Sequence, residues 1–204
     1  MNTLKAETRT KDVKAKKLRR EGYITGNLFG REIDGSILLK MSARDVDRLL
    51  KTDNKGSQIM LNVEGKEYDV LIKEVQYNPL ASKVEEMDFQ ALVSTEKVHS
   101  VAEIILQNTE GIAEGVLQEE LTEISYEALP ADLVDKIKID VSSMKIGDTL
   151  RVGDLDIAKN EKIHLKTDEN ALIAMVTAVH NTVADDTAED EAEEAAEAAV
   201  ESAE

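Results

Sequence analysis

A cluster of basic residues lies near the N-terminus of a strongly acidic chain. The 204 residues have a formal net charge of -17 at pH 7. Between positions 11 and 20 the chain nevertheless contains Lys11, Lys14, Lys16, Lys17, Arg19 and Arg20. A cluster of this density most often binds the phosphate backbone of a nucleic acid. The sequence therefore indicates nucleic-acid binding, and the alternative is a helix face that is only solvated.

Other kinds of chemistry have little support. The chain has no cysteine, which excludes thiolate metal sites, disulfides and cysteine nucleophiles. His99, His164 and His180 are the three histidines, and their spacing does not match that of metal ligands. Gly111 and Gly115 are not followed by the Gly-Lys-Ser/Thr ending of a phosphate loop. We expect no catalytic residue, no metal, no cofactor and no small-molecule substrate.

The basic cluster is predicted to lie on a short helix over residues 13–22. No run of β-branched residues interrupts this segment, and its last residue is a glycine, which commonly follows a helix C-terminus. On a helix, Lys16 and Arg20 share one stripe, and Leu18 can face the core. Residues 22–30 carry three glycines and two aromatic rings. We interpret this segment as one whose backbone can approach RNA closely and whose aromatic rings can stack on bases.

The chain between its two ends is predicted to be mainly β. Apolar residues alternate over 37–39, 59–63 and 68–72. Gly65 separates the last two of these runs, which predicts a tight hairpin between antiparallel strands. Ser42 is a suitable N-cap for a helix whose Val46, Leu49 and Leu50 face the sheet.

A second β region is predicted after residue 93. Its candidate strands cover 98–108, 121–129, 135–144, 147–157 and 170–179, and Pro130 is expected to open a helical turn. The predicted organisation is therefore a β domain over 1–93, a second β domain over 94–180 and an acidic low-complexity tail over 181–204. The tail is rich in Ala and Glu and is expected to be disordered. No apolar stretch approaches the length of a membrane span, so we expect a cytoplasmic protein without a membrane partner.

Several short segments also resemble one known family along nearly the whole chain. In the first region they cover 6–9, 16–24, 28–30 and 83–89, and in the second 110–115, 129–133, 139–142 and 146–150. Their order and spacing are similar to those of the bacterial Ctc proteins. That family comprises general stress proteins and a large-subunit ribosomal protein that binds 5S rRNA.

The resemblance implies an N-terminal β-barrel-like domain that binds 5S rRNA, with short helices, followed by a second β domain. Together with the basic cluster it gives the candidate RNA-binding residues Arg9, Lys14, Lys16, Lys17, Arg19, Arg20, Phe29, Glu86 and Asp88. This chain departs from the family at three of its positions. Phe29 stands where the family usually has tyrosine, Glu86 where it has histidine, and Thr25 where it has proline.

The resulting prediction is a non-enzymatic protein of the large ribosomal subunit. Cations on the helix would contact phosphates, and the β surface would recognise the form and minor groove of 5S rRNA. The second domain would contact neighbouring ribosomal proteins or act as a spacer. One alternative is a divergent general stress protein with weakened RNA binding, which the departures from the family at Glu86 and Phe29 suggest. Another is an enzyme of unknown type.

Overall fold

A computed structural model describes residues 2–33, 35–111, 115–160 and 162–178. Its helices are α1 (Ala15–Arg20) and α2 (Ala43–Leu49). Its strands are β1 (Thr3–Thr8), β2 (Tyr23–Phe29), β3 (Ser36–Ser42), β4 (Gln58–Val63), β5 (Lys66–Asn78), β6 (Lys83–Ala91), β7 (Val98–Gln107), β8 (Val116–Glu119), β9 (Glu123–Ala128), β10 (Lys136–Asp140), β11 (Thr149–Arg151), β12 (His164–Leu165) and β13 (Leu172–Thr177). The mainly β prediction is confirmed.

Strands β1 to β6 form a closed barrel in the order β1-β3-β2-β6-β5-β4. Parallel pairing of β1 with β4 closes it, so the barrel has no free edge. The predicted hairpin is the β4–β5 connection, in which Glu64 and Gly65 have φ values of 53° and 93°. Two consecutive positive φ angles make a type I′ turn, whose twist matches that of antiparallel strands.

The barrel interior is filled by alternate residues of its strands. Along β4, for example, Ile59, Leu61 and Val63 are buried and the residues between them are only partly so. Val46 and Leu49 of α2 join the same core, as the sequence predicts. Ser42 precedes α2 in an extended conformation, but its side chain makes no capping hydrogen bond.

Residues 23–29 form strand β2, which lies between β3 and β6 in the barrel. That this segment approaches RNA closely stays a prediction. A Cβ atom on Gly26 would lie 2.0 Å from the carbonyl oxygen of Met87. The glycine is therefore required for close packing of the barrel itself.

The second unit has a four-stranded sheet, β10-β7-β9-β12, and a three-stranded sheet, β11-β13-β8. Tyr126 lies at its centre, where its hydroxyl donates to the Val134 carbonyl at 2.9 Å and accepts from the Val134 amide at 2.8 Å. Burial raises the pKa of the Tyr126 phenol. These bonds satisfy the buried hydroxyl and tie β9 to the segment before β10.

Local predictions in this unit are partly confirmed. Pro130 opens a 3-10 turn over Pro130–Asp132, as expected. The strand predicted over 147–157 is wrong in its second half, because β11 ends at Arg151 and 3-10 turns follow over Val152–Asp154 and Asp156–Lys159. The Asp154 carboxylate accepts a hydrogen bond from the Arg151 amide at 3.0 Å, which favours a turn over a longer strand.

The two units are in direct contact through the loop between α2 and β4. The Ser100 hydroxyl of β7 donates to the Gly56 carbonyl at 3.1 Å. Gly56 has a φ of 89°, and a Cβ atom there would lie 1.9 Å from the Val101 carbonyl oxygen. Asn54 donates to Glu103 at 2.8 Å, and Lys136 donates to the Thr52 carbonyl at 3.0 Å.

Strand β6 ends at Ala91 and β7 begins at Val98. The predicted domain border at residues 93 and 94 lies in this connection, and we retain it as a proposal. The predicted tail at 181–204 lies outside the described residues. Within the described ranges, no helix is both long and apolar enough to cross a membrane.

Candidate nucleic-acid interface

Helix α1 carries most of the basic cluster. Lys14 precedes it with an extended backbone, and Glu21 ends it. Gly22 follows with a φ of 89°, the left-handed conformation that lets the chain leave the helix and enter β2. Leu18 is buried, whereas the basic residues on either side of it are exposed. The helix is shorter than predicted, but its orientation is the predicted one.

Two of these cations are paired with acids. Lys17 lies 3.9 Å from Glu21, and Arg19 lies 2.6 Å from Glu85 of β6. The charges of Lys17 and Arg19 are therefore partly balanced within the chain. No ion pair within the described part of the chain involves the remaining cations of the cluster, Lys11, Lys14, Lys16 and Arg20.

Three further candidates lie on the outer face of neighbouring strands β2 and β6. Leu28 and Phe89 pair in register and point into the barrel core. The alternation of side chains along each strand therefore places Phe29, Glu86 and Asp88 outside. All three are partly buried. The ion pair between Arg19 of α1 and Glu85 of β6 places the basic helix beside this outer face.

Asn27 connects the two acidic candidates. Its backbone amide and its side-chain amide both donate to Asp88 Oδ1 at 3.0 Å. The same side-chain nitrogen lies 3.4 Å from Glu86 Oε1. Asp88 is thus held in one orientation with its second oxygen still able to accept, while Glu86 is held by a single long hydrogen bond.

Arg9 belongs to the same surface. It follows β1, and its backbone amide donates to the Leu38 carbonyl of β3 at 2.9 Å. Leu38 is paired in turn with Asn27. Arg9 therefore lies two strands away from Asn27 in one row across the barrel. Its Nε atom is buried and, among the described residues, has no hydrogen-bond partner.

The sequence did not identify Lys40, which lies on this surface beside the ring of Tyr23. Lys40 is paired with Thr25 across β3 and β2 and forms an ion pair of 2.7 Å with Glu7. Its ammonium lies 5.3 Å from the centre of the Tyr23 ring. The hydrogen bond and the charge of Glu7 raise the pKa of Lys40. Register across the barrel creates this group, and no local sequence pattern encodes it.

The arrangement combines free cations with a polar strip that contains an aromatic ring. Exposed lysine and arginine can bind phosphate oxygens, and carboxylate and amide groups can accept from or donate to base edges and 2′-hydroxyls. His99 and His164 are exposed on separate strands, and His180 lies outside the described residues. Among the described residues, no cluster of His, Asp or Glu could hold a metal ion.

The chain matches two protein-family models. Residues 4–89 match the ribosomal L25p family, and residues 97–180 match the C-terminal domain of ribosomal protein TL5. The chain is also similar to large ribosomal subunit protein bL25 of Carboxydothermus hydrogenoformans, with 31% identity covering 91% of this chain and 94% of the relative. The bL25 protein of Akkermansia muciniphila is 33% identical, with 87% and 89% covered. That of Geobacillus thermodenitrificans is 31% identical, with 76% and 74% covered.

Proposed function

We propose that this chain, which belongs to the ribosomal L25p family, binds 5S rRNA in the large ribosomal subunit through the outer surface of its barrel. The chain is a ribosomal protein and not an enzyme, as its family membership implies. The relatives named above carry ribosomal names, which supports this function over that of a stress protein. A place on the ribosome would also put the chain in the cytoplasm.

The observation that supports RNA binding best is the state of the cations on α1. Lys14, Lys16 and Arg20 are exposed and form no ion pair among the described residues, in a chain of net charge -17. Exposed cations add little to folding stability, so stability does not explain this cluster. A polyanion that they neutralise on binding does explain it.

The remaining candidates would act beside these phosphate contacts. Phe29 offers a ring face, and Asp88 offers an acceptor that Asn27 holds in position. The rigid barrel keeps this strip at a fixed place relative to α1. Such a surface suits the wide minor groove of an RNA helix, which displays 2′-hydroxyls and base edges. Arg9, Lys17, Arg19 and Glu86 complete the proposed interface.

Titration of 5S rRNA with the full chain at several salt concentrations tests this proposal. We expect a triple variant, Lys14→Ala with Lys16→Ala and Arg20→Ala, to bind more weakly. Its plot of log affinity against log salt should be shallower by about 3, because each substitution leaves one phosphate without a neutralising cation.

The matched control removes three exposed lysines of the second unit, through Lys138→Ala, Lys145→Ala and Lys159→Ala. The control makes the same change in net charge, so a weakening that comes only from net charge would be equal in both variants. Equal weakening, or unchanged binding by the α1 variant, would contradict the proposed interface.

The second unit is proposed to contact neighbouring ribosomal proteins or to act as a spacer. Residues 94–180 contain more acidic than basic side chains, and several of their lysines are already in ion pairs with acids of the same unit, so this unit offers no net positive charge to RNA. Purified large subunits with and without the chain, compared by chemical crosslinking, would identify the proteins that it touches.

A further inference from the structure

The loop between β5 and β6 presents an apolar side chain to solvent beside the basic helix. Leu80 is 98% exposed, the largest value among the exposed large apolar residues of the described chain. It lies in the segment Asn78–Pro79–Leu80–Ala81–Ser82. A leucine at such a position contributes nothing to the core, so its side chain is available to a partner and can be replaced without loss of folding stability.

The loop is held in a defined conformation. The side-chain oxygen of Asn78 accepts hydrogen bonds from the amides of Leu80 at 3.1 Å and of Ala81 at 3.2 Å. Ser82 has a positive φ of 48°, which turns the chain back into β6. The apolar tip is thus presented by a turn in which the amides of Leu80 and Ala81 are hydrogen-bonded, and ordering it on binding would cost little.

A chain of contacts fixes this loop to α1. The Asn78 side-chain amide donates to Glu85 Oε1 at 2.8 Å. The other oxygen of the same carboxylate accepts from Arg19 at 2.6 Å. Arg19 and Ala81 both line a cavity of about 170 Å³ between the helix and the loop. Glu85 therefore couples the position of the loop to that of the basic helix.

We propose that Leu80 contacts the same RNA that α1 binds, and that Arg19, Glu85 and Asn78 are positioning residues for this contact. The inference rests on the proposed function and extends its interface beyond α1 and the β2–β6 strip. Residues 79–83 contain Lys83 and no acid, so the loop does not repel phosphates. An apolar tip next to phosphate-binding cations can cover ribose and base edges in a shallow minor groove.

The first test is Leu80→Ser in the full chain, titrated with 5S rRNA over a range of salt concentrations. We expect the affinity for 5S rRNA to fall about tenfold, because the variant no longer buries an apolar side chain on binding. The salt slope should stay the same, since an apolar contact releases no counterions. The melting temperature should also stay the same, because Leu80 is exposed. Ile146→Ser, at a 46% exposed site in the second unit, is the matched control and should bind like the unmodified chain.

Asn78→Ala tests the positioning role without a change in charge. It should weaken RNA binding by releasing the loop, and the double variant Asn78→Ala with Leu80→Ser should bind hardly more weakly than Leu80→Ser alone, because both act on one contact. Fully additive effects would overturn the positioning role.

A proximity measurement completes the test. Because the chain has no cysteine, Leu80→Cys provides a single thiol for an attached iron–EDTA probe, and Ile146→Cys provides its control. We expect the probe at position 80 to cleave bound 5S rRNA at one local site, and the probe at 146 to leave that site intact.

Three outcomes would overturn the inference. If the unmodified chain does not bind 5S rRNA, the proposed function fails, and the inference fails with it. If the chain binds but Leu80→Ser binds equally well and the probe produces no cleavage, the inference alone fails. If Leu80→Ser keeps its RNA affinity but incorporates poorly into large subunits, the tip contacts a protein instead.

Discussion

The two units of this chain distribute their cations differently. In the second unit, Lys159, Lys162 and Lys166 pair with Asp156, Asp132 and Glu127, and cations that form no ion pair among the described residues, such as Lys138 and Lys145, lie on separate segments. The pairing with Lys166 lowers the pKa of Glu127. In the barrel, Lys14 just before α1 and Lys16 and Arg20 within it have no such partner among the described residues. A cation in an ion pair is already neutralised by its own chain, whereas an unpaired cation can bind an anionic partner.

Two glycines, one in each unit, differ in how closely other backbone atoms approach them. In the barrel, Gly26 leaves no space for a methyl group, since its Cβ position is 2.0 Å from the Met87 carbonyl. In the second unit, the corresponding distance at Gly153 is 3.2 Å, to the Glu169 carbonyl. A closed barrel fixes all of its strands at once, so it tolerates less displacement than two open sheets do.

The largest expected effect comes from Gly26→Ala. The added methyl group must push β2 away from β6, which should destabilise the barrel by about 3 kcal/mol. Thermal unfolding followed by methyl NMR would show barrel signals disappearing at a lower temperature than those of the second unit. Gly153→Ala should cost less than about 1 kcal/mol. If the two substitutions lowered the free energy of unfolding equally, the two glycine positions would not differ in packing.

The contact between the units predicts the next largest effect, for Gly56→Ala. Gly56 and Gly65 have φ values of 89° and 93°, but only Gly56 is packed against other atoms, those of Ser100 and Val101. Both substitutions should cost about 1 kcal/mol for the left-handed backbone. Gly56→Ala should cost about 1 kcal/mol more, because it separates the loop from β7. Denaturant unfolding of both variants measures this difference, and equal midpoints would show that the contact contributes nothing.

Glu86→His changes the charge of the proposed RNA strip. Glu86 accepts only one long hydrogen bond, from Asn27, and this bond does not neutralise its carboxylate. The negative charge of Glu86 can therefore repel RNA phosphates. The substitution should tighten 5S rRNA binding by about 1 kcal/mol in a titration at low salt. Weaker binding would mean that Glu86 accepts a hydrogen bond from the RNA. His99→Glu, on the second unit, makes the reverse change and should leave binding nearly unaltered.

The smallest expected effect concerns Asp135, near the contact between the units. Burial raises the pKa of the Asp135 carboxyl, and the charge of Asp53 raises it further. A pKa that is higher in the folded than in the unfolded state means that ionisation at neutral pH opposes folding. Asp135→Asn should therefore raise the melting temperature by about 2 °C at pH 7. This gain should disappear as the pH falls through the folded-state pKa toward the ordinary aspartate value of 3.8. Asp12→Asn, at an exposed site, should change the melting temperature at neither pH.

The sequence alone predicted most of the fold of the first unit. The β4–β5 hairpin and α2 follow from local signals, namely Gly65 and the apolar spacing of Val46 and Leu49. Strand β2 was not identified from the sequence, because its glycine is explained only by the close approach of β6, which lies far along the chain. The second half of the strand predicted over 147–157 was wrong because a single Asp154 hydrogen bond favours a turn.

The candidate site was predicted in type but not in detail. The basic cluster, its helix and the burial of Leu18 could be read from residues close in sequence, since composition and helical spacing are local properties. Only the tertiary structure decided which of the cations stay free. Glu85 meets Arg19, and Asp88 meets Asn27, from more than fifty positions away, because the register of β2 with β6 brings them together. That register depends on closure of the whole barrel, and no short segment of the sequence determines it.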